Sequence, residues 1–73
     1  MDPKEIFELI VKADEALKYA TEEKGEARRR QARAWLTQAK AEAEAAGNQA
    51  LVDQADRRLA DLEQVESGGS PNP

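Results

Sequence analysis

The sequence EARRRQARAWLTQAKAEAEAAG, from Glu26 to Gly47, decides the fold, because its small residues recur at the spacing of an α-helix. One stripe with a 3.6-residue period contains Ala32, Leu36, Ala39, Ala43 and Ala46. A second stripe contains Ala27, Ala34, Ala41 and Ala45. Two stripes of small residues predict a helix that is covered by a neighbour on each side. We therefore expect this stretch to be the middle helix of three.

The first helix is predicted from a strong start signal. Asp2 can cap the helix, Pro3 suits its first position, and Glu5 stands three residues after the cap, as in a capping box. Apolar residues then follow one helical face: Ile6, Leu9, Ile10, Ala13, Ala16, Leu17 and Ala20. Lys24 and Gly25 are typical of a cationic last turn and a left-handed C′ glycine. The sequence thus predicts a helix from Pro3 to Lys24, followed by a tight reversal.

Two further helices and a tail complete the chain. The second helix is predicted from Glu26 to Ala46, with Gly47 as its C′ residue. Asn48 is the expected N-cap of a third helix, from Gln49 to Gln64. Its apolar seam contains Leu51, Val52, Ala55, Leu59 and Leu62. We expect one three-helix domain over residues 1–66, followed by SGGSPNP, residues 67–73, as a flexible tail or linker.

The run ARAWLTQAKAEAEAAGNQALVDQADRRLADL, residues 32–62, resembles a tetratricopeptide-type helical-repeat segment in its small residues, its Gly-Asn turn and the apolar helix that follows. The resemblance implies a protein-interaction module rather than an enzyme. The expected fold class is all-α, either a small antiparallel three-helix bundle or a tetratricopeptide-like helical array, with a disordered C-terminal tail. The residues expected to be most buried are Ile10, Ala13, Leu17, Leu36, Ala39, Ala43, Leu59 and Leu62.

Composition argues against catalysis and against metal or cofactor binding. The sequence contains no histidine and no cysteine, so the best ligands for zinc, haem and transition metals are missing. Adjacent carboxylates such as Asp14 and Glu15 point apart on a helix and cannot chelate together. We therefore expect no catalytic residue, no metal site and no cofactor.

Charge and hydropathy limit the classes of partner that are expected for this chain. The net charge of −4 argues against a broad phosphate-binding surface, so nucleic acid is not the expected partner. The apolar run at Leu9–Val11 is far shorter than the roughly 20 residues of a membrane span, and the start of the sequence has no signal-peptide pattern. We expect a cytoplasmic protein with no membrane partner.

Four arginines crowd the first two turns of the second helix, where positive charge opposes the helix dipole. At 100° per residue, Arg29, Arg30 and Arg33 share one sector, while Arg28 points away. The favoured interpretation is a solvated face paired with nearby glutamates, such as Glu26. An anion or nucleic-acid site from Arg28 to Arg33 is a less favoured alternative.

The apolar residues outside the main stripes suggest a docking surface. Trp35 either fills the space between helices or is an exposed anchor, and Phe7 and Val11 either cover the second helix or belong to the same surface. The partner-binding residues predicted from the sequence are Phe7, Val11, Tyr19 and Trp35, with Arg29, Arg30 and Arg33 as a cationic rim.

The expected function is that of a noncatalytic helical docking or adaptor module that binds another protein. The alternative is a self-assembling structural homo-oligomer, in which the same surface closes a symmetric dimer. Such a dimer would supply core that a chain of 73 residues lacks. Sedimentation at several protein concentrations distinguishes these two hypotheses.

Overall fold

The computed structural model describes residues 1–20 and 25–66, with side chains as far as Gln64. The described chain forms three helices: α1 (Pro3–Lys18), α2 (Gly25–Ala46) and α3 (Gln49–Glu66). They pack into a small all-α bundle, which confirms the predicted fold class. In this bundle α2 packs against both α1 and α3, whereas α1 and α3 touch each other only slightly. The predicted flexible tail lies outside the described residues.

The start of α1 is the predicted capping box. The Glu5 backbone N–H donates to Asp2 Oδ1 at 2.9 Å, and the Asp2 N–H donates to Glu5 Oε1 at 3.1 Å. Pro3 occupies the first helical position, where its missing N–H costs nothing. These contacts satisfy backbone donors that a helix start would otherwise leave without partners.

The predicted end of α1 is wrong. The helix ends at Lys18 rather than Lys24, and the Tyr19 N–H closes it by donating to the Glu15 carbonyl at 3.2 Å. Leu17 is the last residue of α1 that packs against the core, so further helix would bury little apolar surface. Gly25 is not a left-handed C′ residue but the buried first residue of α2.

The connection between α2 and α3 is as predicted. Gly47 adopts a left-handed conformation, with φ of 70°. Its N–H donates to the Glu44 carbonyl at 3.1 Å, and the Asn48 N–H donates to the Ala43 carbonyl at 2.9 Å. This pair of hydrogen bonds is the Schellman arrangement. Asn48 Oδ1 then accepts from the Leu51 N–H at 3.2 Å and caps α3.

The core is formed mainly by the predicted positions. The predicted core residues that are fully or almost fully buried are Ile10, Ala13, Leu36, Ala39, Ala43 and Leu62. Two others, Leu17 and Leu59, are partly buried and pack against the core. The other buried hydrophobic residues of the described chain are Ile6, Leu9, Ala16, Ala32, Leu51, Val52 and Ala55. Because many of these are alanines, the helices pack around only a few large buried side chains, chiefly Ile6, Ile10 and Leu36.

The prediction of a second buried stripe on α2 is wrong. Its residues are all exposed, and so is the last residue of the first stripe: Ala27, Ala34, Ala41, Ala45 and Ala46. The reason is that α1 and α3 contact the two flanks of one broad face. Trp35 borders α1 on one flank, and Lys40 pairs with Asp56 of α3 on the other. These two flanks of α2 lie about 140° apart at 100° per residue.

Ion pairs join the helices in an order consistent with antiparallel neighbours. The Met1 amino group lies 3.9 Å from Glu42 Oε1, so the start of α1 lies beside the end of α2. Arg58 Nε of α3 donates to both carboxylate oxygens of Asp14 in α1, at 2.8 and 3.1 Å. Arg58 Nη1 also donates to the Gln54 carbonyl at 3.2 Å, which orients the guanidinium group.

The Lys40–Asp56 pair should make the stability of the fold depend on pH. A hydrogen bond from Lys40 Nζ to Asp56 Oδ1, at 2.7 Å, together with the charge of Asp56, raises the pKa of Lys40. The pair therefore stabilises the fold while Lys40 is protonated. This contribution is complete below the ordinary lysine pKa of about 10.4 and is lost as pH rises through the raised value.

We expect Asp56→Asn to lower the pKa of Lys40, as measured by an NMR titration of its ammonium group. Asp53→Asn is the matched control, because the Asp53 carboxylate accepts from Gln49 rather than from Lys40. If the pKa of Lys40 were the same in Asp56→Asn as in the wild type, Asp56 would not be the cause of the raised pKa.

Candidate partner-binding surface

A groove lies between α1 and α2, on the flank of α2 that faces away from Lys40. It consists of two adjoining hollows of about 260 and 290 Å³, which share Ala16, Arg28 and Trp35. The first hollow is also lined by Lys12, Glu15 and Tyr19, and the second by Ala27 and Gln31. We call this surface the Trp35 groove.

Trp35 has two environments. Its side chain is half-buried and packs against the hydrophobic core, and it also lines both hollows of the groove. Trp35 therefore fills space beside the core and also remains partly exposed, while its role as an anchor for a partner stays a prediction. A ring that is held by the core loses little conformational freedom when a partner binds, which favours affinity.

The α1 wall of the groove contains residues at helical spacing, namely Lys12, Glu15, Ala16 and Tyr19. Ala16 is buried and small, so it leaves room beside the indole ring. Tyr19 follows the last residue of α1 and is 60% exposed. Lys18 Nζ lies 5.8 Å from the centroid of the Tyr19 ring, within the range of a cation–π contact.

The cations of the groove are not the predicted ones. Arg28 and Lys12 line the groove, together with one carboxylate, Glu15. Arg28 is not among the rim cations predicted from the sequence, because it points away from the other arginines. Its position seven residues before Trp35 places both on one helical face, and this spacing could have identified it.

The other predicted arginines lie elsewhere. Arg30 pairs with Glu26 at 3.5 Å, and both side chains are largely exposed. Arg33 is half-buried. Arg29 is half-buried, and its Nε is a buried atom without a hydrogen-bond partner among the described residues. It borders a hollow of about 330 Å³ at the end of the bundle, together with Leu17, Ala20, Asp61 and Leu62.

Phe7 and Val11 form a separate apolar surface on α1. They are 46% and 37% exposed, so they do not belong to the core. Together with Lys4, Glu8 and Lys12 they line a hollow of about 330 Å³. Of the aromatic residues predicted for the docking surface, the structure therefore brings together Tyr19 and Trp35, whereas Phe7 lines a different hollow.

Neither the sequence nor the described residues show an arrangement typical of a metal site. Within residues 1–20 and 25–66, no group of three or more carboxylates is placed to hold a metal ion. The same part of the chain contains no helix with the length and apolar character of a membrane span.

The comparisons with known proteins found no matching family model, no matching curated protein and no matching solved structure.

Proposed function

We propose that this chain is a noncatalytic docking domain that binds a segment of another protein in the Trp35 groove. The observation that carries the proposal is the position of Trp35, which is held by the core on one side and lines an open groove on the other. The resemblance of residues 32–62 to a tetratricopeptide-type segment supports the same class of function.

The open shape of the groove favours a macromolecular partner over a free small molecule. Its hollows, of about 260 and 290 Å³, are largely open to solvent, whereas a typical ligand pocket encloses most of the surface of its ligand. A space of this size suits one or two apolar side chains presented by a partner. Trp, Tyr and Arg are also the residue types that contribute most strongly at protein–protein interfaces.

The charges of the groove favour an acidic partner. Lys12 and Arg28 contribute two cations, against the single carboxylate of Glu15. The chain as a whole carries a net charge of −4, so attraction to acidic groups must come from a local surface such as this one. We therefore propose a partner segment, such as an amphipathic helix, that carries a large apolar residue flanked by Asp or Glu.

A library of helical peptides displayed on phage tests this function. Selection on the immobilised protein should enrich peptides that carry a large apolar residue with acidic neighbours. Tyr19→Ser should weaken their binding, whereas Phe7→Ser is the matched control and should not, because both residues are exposed aromatics but only Tyr19 lines the groove. Selection of no peptide, or loss of binding in the Phe7 variant alone, would reject the groove as the site.

A second prediction concerns Arg28, the arginine that lines the groove. We expect Arg28→Gln to weaken binding of a selected peptide by roughly fivefold, from the upper value of about 1 kcal/mol for exposed ion pairs. The variant should also depend less on salt, because a charged rim is screened over about 8 to 10 Å. Titration calorimetry at low and high salt measures both effects.

Arg30→Gln removes the same charge from the same helix and is the control. Its side chain is exposed and pairs with Glu26 outside the groove, so the affinity should hardly change. Equal losses in the two arginine variants would mean that only overall charge matters for binding.

A further inference from the structure

We propose that a second copy of this chain docks on the Phe7–Val11 ridge, with the two α1 helices antiparallel about a two-fold axis that crosses the ridge at the level of Leu9 along the helix. We define the ridge as the exposed stripe of α1 that contains Lys4, Phe7, Val11 and Asp14. This surface is distinct from the Trp35 groove and adds self-association to the docking function proposed above.

The ridge is an apolar surface left uncovered in the single chain. Phe7 and Val11 are one helical turn apart and are 46% and 37% exposed. At 100° per residue, the four ridge residues fall within an arc of about 80°. A helix partner can contact all of them at once, because positions at this spacing share one side of a helix.

The order of charges along the ridge favours a second copy. Lys4 and Asp14 lie five positions on either side of Leu9, and Phe7 and Val11 lie two positions on either side. Antiparallel pairing about Leu9 therefore places Lys4 opposite the partner's Asp14, and Phe7 opposite the partner's Val11. Each contact occurs twice, as a two-fold interface requires.

Other alignments are less favourable. Parallel pairing in register would place Lys4 beside the partner's Lys4 and Asp14 beside the partner's Asp14. The Asp14 side chain is 46% exposed although it already pairs with Arg58, so it remains accessible to a second cation.

The dimer should be weak and depend on concentration. One pair of helices buries less surface than a standard interface, which covers about 1,200 to 2,000 Å².

Charge exchange tests the pairing and its direction. Lys4→Glu and Asp14→Lys each place two like-charge contacts in their own dimer, whereas a mixture of the two variants restores two attractive contacts. We expect the wild type to dimerise as concentration rises in analytical ultracentrifugation. Lys4→Glu alone should need roughly tenfold more protein, as about 1.4 kcal/mol of coupling implies. Asp14→Lys also breaks the ion pair with Arg58 within its own chain, so for this variant the recovery of association in the mixture is the deciding result.

The controls separate this surface from others. Arg30→Glu changes the net charge as much as Lys4→Glu does, but on α2, and should leave dimerisation intact. Phe7→Ser should abolish the dimer and Tyr19→Ser should not, which reverses their expected effects on peptide binding. Circular dichroism verifies that each variant is folded. A wild type that stays monomeric at the highest concentration, or a mixture that associates no better than its components, would overturn the proposal.

Discussion

Leu36→Ala is expected to destabilise this domain by about 2 to 5 kcal/mol, the usual range when a large buried side chain is replaced by alanine. Leu36 is completely buried, in the helix that both other helices contact. Small domains are at the low end of the 5 to 15 kcal/mol typical of proteins, so a loss of this size removes a large part of the free energy of unfolding. Urea unfolding followed by circular dichroism measures the loss.

Leu59→Ala is the matched control for this prediction. It removes the same atoms, but Leu59 is only partly buried at the border of the core. The smaller burial should give a smaller loss of stability, because less apolar surface returns to water and no closed cavity forms. If Leu36→Ala lowered the free energy of unfolding no more than Leu59→Ala does, Leu36 would not lie at the centre of the buried face of α2.

Trp35→Ala should have the largest effect on binding. Truncation of a central tryptophan at an interface typically costs at least about 2 kcal/mol, which is roughly a 30-fold loss of affinity. Because Trp35 also packs against the core, the same change should lower the stability of the domain. Titration of a selected peptide and thermal unfolding, measured on the same preparation, give the two losses.

A second substitution separates binding from stability. Trp35→Leu keeps apolar volume against the core but removes most of the ring surface that borders the groove, so it should preserve folding better than affinity. A folded Trp35→Ala protein that bound the peptide as tightly as the wild type would exclude the Trp35 groove as the docking site.

The sequence predicts the fold best where the deciding contacts are local. The capping box of Asp2 and Glu5 and the turn at Gly47 and Asn48 are closed by hydrogen bonds between residues three to five positions apart. Such signals are complete within a short segment, so the sequence alone predicts them. The end of α1 depends on where apolar burial stops, at Leu17, and this is decided by packing between helices.

Alanine explains the main error in the fold. It is the best helix former, so it occurs on exposed helical faces as well as in cores, and its periodicity alone does not show which faces are covered. Ala32 and Ala34 lie on the two predicted stripes, yet the first is buried and the second is exposed. Only the positions of α1 and α3 relative to α2 distinguish them.

The candidate site was predictable in part. Large aromatic residues are frequent anchors, which predicts Trp35 and Tyr19 as binding residues, and the structure places both on the same groove. The shared face of Arg28 and Trp35 was present in the sequence as a seven-residue spacing. The separation of Phe7 from this groove depends on how α1 is rotated against α2, which no short pattern in the sequence specifies.

The exposed alanines of α2 are also convenient positions for spin labels, which measure distances within and between copies of the protein. The sequence contains no cysteine, so a thiol introduced at Ala34 or Ala45 would be the only attachment point for a spin label. Two labels at these positions of one helix should have backbone anchors about 16 Å apart, from a rise of 1.5 Å per residue. One label per chain would instead report the distance between two copies, and with it the geometry of their assembly.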